Sequence, residues 1–237
     1  MRIIVCGGMQ GADGTNEMER TWSVLGKQVD EKIWAMMLDA EELAERAETE
    51  HADDPALEGL DLVHQPLVKI GNEWIPFEER TLLDGKIHLR LPKTFHELPE
   101  EAAKLKYASE RRPQLILSDE STTTNLAFNL SQTLLEDEEV EQFTEAIGEL
   151  LKRTQPGATW LEQDVVDVAG RKVGYRSFIV PVVDTDLYQL MFFASCRGQA
   201  LLCTFHCLKK DMEKWKSVSL GIMHSLRIPD DEQGRME

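Results

Sequence analysis

Apolar residues recur at helical spacing in three long stretches of the chain, and alternate with polar ones over much of the remainder. Behind an N-cap at Asp30, Ile33, Met37, Ala40 and Ala44 share one helical face over residues 31–49, flanked by Met36, Leu43 and Ala47. Glu41, Glu42, Glu45 and Glu48 take the opposite face. From Glu136 to Lys152 the expected buried stripe is Val140, Phe143, Ile147, Leu150 and Leu151. From Lys210 to Leu226 it is Met212, Trp215, Ser219, Ile222 and Leu226. Shorter helices are expected over residues 15–27, with Trp22 and Leu25 inward, and near 99–107.

Alternation of period two marks the strands. RIIVC at 2–6 reads as a short buried strand, and residues 62–77 read as extended, with LVKI and EWIPF inside them. KIHLRLP follows the turn signal Asp84-Gly85, and places Ile87, Leu89 and Leu91 opposite His88 and Arg90. PQLILSD and TNLAFNLSQ flank a turn at STT. Four strands then run in succession: ATWLEQDVV, KVGYRSFIVPVV, LYQLMFFASC and ALLCTFHCL, separated by turns at Ala169-Gly170, Asp184-Thr185 and Arg197-Gly198. Such short connections make antiparallel neighbours. The third is apolar on both faces, Tyr188, Leu190, Phe192 and Ala194 against Leu187, Met191 and Phe193, as a central strand covered on both sides requires. The order of elements predicts an α+β fold, an antiparallel β-sheet flanked by helices on its faces, with an added N-terminal strand-helix segment.

Composition divides the chain. Residues 1–70 hold 15 acidic and 6 basic side chains, a far denser negative charge than the remainder of a chain whose net charge is −17. HADDPALEG at 51–59 has the polar, proline-containing character of a linker. The predicted organisation is therefore an acidic, α-rich extension over 1–60, a sandwich domain over 61–228 and a polar tail over 229–237. The acidity argues against a general nucleic-acid binder, which needs a basic face to release counterions, and against an anionic membrane surface. No run approaches the length of a membrane span, and MRIIVCGG is too short for a signal-peptide core, so a cytoplasmic location is expected.

The segment from about 74 to 228 resembles the PsbP-like fold shared with the Ran-binding Mog protein and several bacterial proteins. The resemblance rests on LLDGKIHLRLPKTFHELP, the central helix, the four-strand meander and the closing WKSVSLGIMHSLRI helix, together with KYASERRPQLI, LYQLMFF and LLCTFHCL. It implies an α/β/α sandwich and mostly non-enzymatic accessory or binding roles. It brings no catalytic residue with it, and residues 1–60 fall outside the match.

Candidate chemistry is sparse. Lys104, Lys106, Arg111 and Arg112, with Tyr107 among them, form the one basic cluster, a contact site for an acidic peptide or a phosphate. A surface cluster balancing Glu100, Glu101 and Glu110 is the competing reading. The glycine-rich loop GGMQGADGT, with Gly7, Gly8, Gly11 and Gly14, follows a strand as a phosphate cradle would, yet its spacing fits neither a P-loop nor a dinucleotide fingerprint. Cys196, Cys203 and Cys207 cluster near His206, but alternation puts Cys203 and Cys207 on one strand face and His206 on the other. With Cys6, they read as reduced cysteines and not as a metal site. Glu136, Asp137, Glu138 and Glu139 open a helix, where they complement its dipole. Glu162, Asp164 and Asp167 could pair carboxylates for acid–base work, but Glu162 and Asp164 share one strand face that reads as solvated. His64, His88, His96, His206 and His224 follow no metal-binding spacing, and neither Ser118 nor Ser121 sits in a nucleophile elbow.

The reading that follows is a non-catalytic protein-interaction or accessory module, of an immunity-type or secretion-associated bacterial kind, with a protein partner and without cofactor, metal, nucleic acid or membrane. The alternatives are a nucleotide- or phosphate-ligand-binding enzyme using the loop at 7–14, and a homodimer formed through the N-terminal helices, where Trp22 and Trp34 lie.

Overall fold

The computed structural model describes residues 63–106 and 112–229. The expected N-terminal strand and helices, the linker, the loop at 7–14 and most of the C-terminal tail lie outside the described residues.

Among the described residues two antiparallel sheets are present where sequence periodicity predicts one. The smaller has the order β1-β2-β3, from β1 (Leu67–Ile70), β2 (Glu73–Leu82) and β3 (Ile87–Pro92). The stretch read as one extended segment over 62–77 is a hairpin, because Gly71 adopts a φ of 63° and reverses the chain so that Ile70 pairs with Glu73. The larger sheet has seven strands in the order β4-β5-β6-β10-β9-β8-β7. These are β4 (His96–Glu97), β5 (Leu115–Ser118), β6 (Asn125–Leu134), β7 (Thr159–Val168), β8 (Arg171–Val182), β9 (Thr185–Cys196) and β10 (Gln199–Leu208). The expected meander is β7 to β10. Two of its turns fall where read, with positive φ at Ala169-Gly170 and Arg197-Gly198, while the third lies one residue early, at Val183-Asp184. β4 has no signal in the sequence; it is two residues long and caps one edge.

Among the described residues there are three α-helices, α1 (Glu100–Lys106), α2 (Val140–Thr154) and α3 (Met212–His224). Alternation along β9 decides what each covers. Tyr188, Leu190, Phe192 and Ala194 join the main core with Trp215, Val218, Ile222 and Met223 of α3 and with Ile87, Leu89 and Leu91 of β3. Trp215 packs on Phe205 and Phe95 with ring centroids 5.6 and 5.9 Å apart. On the other face Phe193 meets Phe143 of α2 edge-on at 5.7 Å. α1 covers the far end of that same face, where Ala103 packs with Leu98, Ile116 and Ala127. The seven-stranded sheet is thus sandwiched between α1 and α2 on one side and α3 with the small sheet on the other.

The helix α2 crosses the sheet because β6 and β7, which it joins, run parallel and are separated by three strands. Its buried positions are Val140, Thr144 and Gly148, one every four residues. Phe143, Ile147 and Leu151 flank this line half-buried, and Leu150, expected in the stripe, is 54% exposed. The correction has a steric cause. Small residues bring the helix backbone against the sheet, so the line of closest approach runs through Thr144 and Gly148 and not through the largest apolar side chains. A Cβ on Gly174 of β8 would sit 1.8 Å from the Thr144 hydroxyl oxygen, and one on Gly148 would sit 2.0 Å from the Arg176 guanidinium. Arg176 is buried between helix and sheet, stacked over Trp160 at 5.2 Å and donating to the Gln163 side-chain oxygen. Before α2, Asp137 accepts from the Lys172 amide at 3.1 Å and Ser195 donates to the Leu135 carbonyl at 2.7 Å, fixing the helix start on the sheet.

Candidate functional site

The basic cluster lies on α1 and the segment after it. Lys104 reaches Glu100 one turn earlier at 2.5 Å, an exposed i,i+4 pair. The bond and charge of Lys104 hold the Glu100 carboxyl below its ordinary range. Lys106 turns toward the sheet. Its ammonium donates to the Thr122 carbonyl and, at 2.9 Å, to the Asn125 side-chain oxygen. Burial lowers its pKa while Asp119 acts in the opposite sense. Arg112 is half-buried ahead of β5. Tyr107 and Arg111 lie outside the described residues, as do Gly7, Gly8, Gly11 and Gly14. Two of the predicted cations are therefore engaged with their own chain, and α1 presents less free positive charge than its sequence suggests.

Beneath Lys106 the sheet register assembles a polar row that sequence reasoning missed. Ser118 pairs with Asn125, Asn125 with His206, and His206 with Gln189, across β5, β6, β10 and β9. Burial and the neighbouring Lys106 charge push the His206 imidazole down to about 4, so it is neutral at physiological pH. No local spacing announces this row, since its members come from four strands.

The cysteines follow the alternation argument. Cys203 and Cys207 face the main core, with His206 on the reverse side, and Cys196 pairs with Gln199 across the Arg197-Gly198 turn. Cys196, Cys203 and Cys207 are buried and form no disulfide. Burial pushes Cys207 up to about 12 and Cys203 well above its ordinary value, which leaves little thiolate for nucleophilic attack. Among the described residues no group of three His, Cys, Asp or Glu side chains is placed to hold a metal ion. Ser121 donates to Asp119 at 2.6 Å within the β5–β6 turn. No described helix is long and apolar enough to cross a membrane.

The third feature is a cleft of about 420 Å³ between α2 and the edge strand β7. Glu141 and Glu145 line it from the helix, Gln163, Asp164, Val165, Val166 and Asp167 from the strand, and Lys172 from the neighbouring strand β8. Four acidic residues and one lysine therefore line it, Asp164 from the strand edge, where its carboxylate accepts from the Val165 amide. Sequence reasoning noted the acids of β7 as a solvated face, but the helix acids that join them come from the opposite turn of the chain and appear together only in the fold. Glu162, next along the strand, is paired with Lys216 of α3 at 2.6 Å on the other side of the sheet. A bulge between Trp160 and Glu162 marks where the regular run of β7 begins.

No protein-family model and no curated protein matches the sequence. Solved structures similar in outline include the PsbP protein of the cyanobacterium Synechocystis, 12% identical over 67% of this chain and 96% of that one, with a TM-score of 0.49. They also include LpqN of Mycobacterium tuberculosis, described as involved in cell envelope biogenesis, 16% identical over 68% of this chain and 95% of that one, with a TM-score of 0.44. A protein of unknown function from Pseudomonas aeruginosa is 13% identical over 65% of this chain and 97% of that one, with a TM-score of 0.39. The layered α+β architecture stands on the strands and helices described above, and no role is transferred from these neighbours.

Proposed function

We propose that this protein is a non-catalytic interaction module that holds a protein partner through a basic segment of that partner, and that the cleft between α2 and β7 is the contact site. The observation that carries the reading is that Glu141, Glu145, Asp164 and Asp167 all line one cleft, with Lys172 as the sole cation in its lining. Opposed potentials steer encounter and reject partners of like charge. An accessory or immunity-type role beside a secreted bacterial effector belongs to the same proposal, since an acidic surface complements a basic active site. So does a cytoplasmic location, with which three buried cysteines outside any disulfide agree.

The test is capture from extracts of the native host, with the full chain and with a Glu141→Lys/Glu145→Lys variant as bait. Both positions are exposed, so the variant is expected to keep the thermal stability of the parent. The expected result is a protein retained at low salt, released at high salt and absent from the variant. Capture of the same proteins by both baits, or no salt-sensitive partner, contradicts the reading.

A further inference from the structure

The cleft is bounded on one side by a strand edge, and the geometry of that edge points to how the partner is held. We infer that the basic segment binds in extended form, as an eighth strand added to β7; this inference rests on the proposed contact site above.

The open backbone groups follow from register. The two-residue turn at Ala169-Gly170 makes Val168 and Arg171 a hydrogen-bonded pair. Alternation back along the strand then makes Val166 and Asp164 bonded to β8, and turns the N–H and C=O groups of Gln163, Val165 and Asp167 away from it. β7 is the last strand of its sheet, so these groups face the cleft side. The Val165 amide confirms the direction: it donates to the Asp164 carboxylate at 2.8 Å, an acceptor on the open side, and not to β8. The bulge between Trp160 and Glu162 ends the usable edge at one end and the Ala169-Gly170 turn ends it at the other. Between them a regular ladder is available to an incoming chain at roughly 3.3 Å per residue.

Charge selects the occupant. Asp164 and Asp167 on the edge, with Glu141 and Glu145 above it, repel an acidic strand, and a neutral one would bury their charges unpaired. A second copy of β7 would set these carboxylates against themselves, which disfavours self-pairing. A segment with lysine or arginine at alternate positions meets the opposite condition. Cations on its helix-facing side oppose Glu141, Glu145 and Asp167. An incoming carbonyl takes the Val165 amide, and the Asp164 carboxylate released from that bond is free to pair with a cation. Val165 and Val166, both half-buried, offer apolar contact to the residues between the charges. Main-chain bonds then supply affinity and the carboxylates supply selectivity.

The experiment uses the full chain and three peptide probes spanning β7: one alternating lysine and threonine, the same peptide N-methylated along one edge, and one of equal charge with all its lysines in a single block. Hydrogen exchange is read residue by residue at low salt. The expected result is that the alternating peptide slows exchange at Gln163 and Asp167 by roughly tenfold or more, and that the N-methylated peptide does not. Salt-sensitive binding without that protection, or equal binding of the N-methylated or block peptide, overturns strand addition while leaving the acidic contact site standing. Absence of salt-sensitive binding by every probe overturns both.

Discussion

His206 shows how one residue's behaviour depends on neighbours from other strands. Burial, reinforced by Lys106, holds its folded pKa near about 4, below the ordinary value of 6.5. A histidine with a depressed folded pKa binds fewer protons in the native state than in the unfolded state between those two values. Its contribution to stability is full above pH about 6.5 and is lost as pH falls toward the folded pKa. The parent should lose roughly 2–3 kcal/mol more than His206→Gln between neutral pH and pH about 4.5, at about 1.4 kcal/mol per pKa unit. Urea denaturation of both proteins across that range measures the difference, and parallel curves would show that His206 is not desolvated as described. The opposed faces of His206 and Cys203 are legible in the sequence because alternation is a local property. The Ser118–Asn125–His206–Gln189 row and the approach of Lys106 are not, because they depend on which strands pair and in which register.

At the scale of elements, the contact between α2 and β8 is the most demanding. Thr144 is branched at Cβ, so its atoms cannot rotate away from a new methyl on Gly174, which would meet its Oγ1 at 1.8 Å and its Cβ at 2.9 Å. Gly174→Ala is expected to force helix and sheet apart and to cost about 1–3 kcal/mol, as overpacking does. Leu150→Ser, on the exposed side of the same helix, is expected to stay within about 0.5 kcal/mol. Denaturant midpoints of the two variants check both values. A costly Leu150→Ser together with a neutral Gly174→Ala would mean that α2 is rotated from the orientation described. The helix itself is plain in the sequence; its rotation is not. Helical spacing favours the face with the most apolar surface, whereas the observed face is chosen by small residues that let two backbones come close. The hairpin at Gly71 is hidden for a related reason, since one residue of positive φ interrupts an otherwise continuous extended pattern.

Across the whole molecule, the sequence reveals the class of fold and the meander because these rest on local turns and alternation. It leaves hidden the pairing of β6 with β10, the separation of the small sheet and the crossing of α2, all of which join distant parts of the chain. Net charge is similarly incomplete. A value of −17 argues by sign against polyanionic partners, but it does not say where a partner sits. In the fold, the basic residues of α1 are partly engaged by Glu100, Thr122 and Asn125, while acids of α2 and β7 line one cleft at the edge of the larger sheet. The most direct measurement is photo-crosslinking in host extract, with a photoreactive side chain placed at Gln163 on the cleft or at Leu134, which is 79% exposed at the end of β6. The expected result is a partner adduct from Gln163 that added salt abolishes, and none from Leu134. An adduct from Leu134 alone, or one from Gln163 that is indifferent to salt, would contradict it.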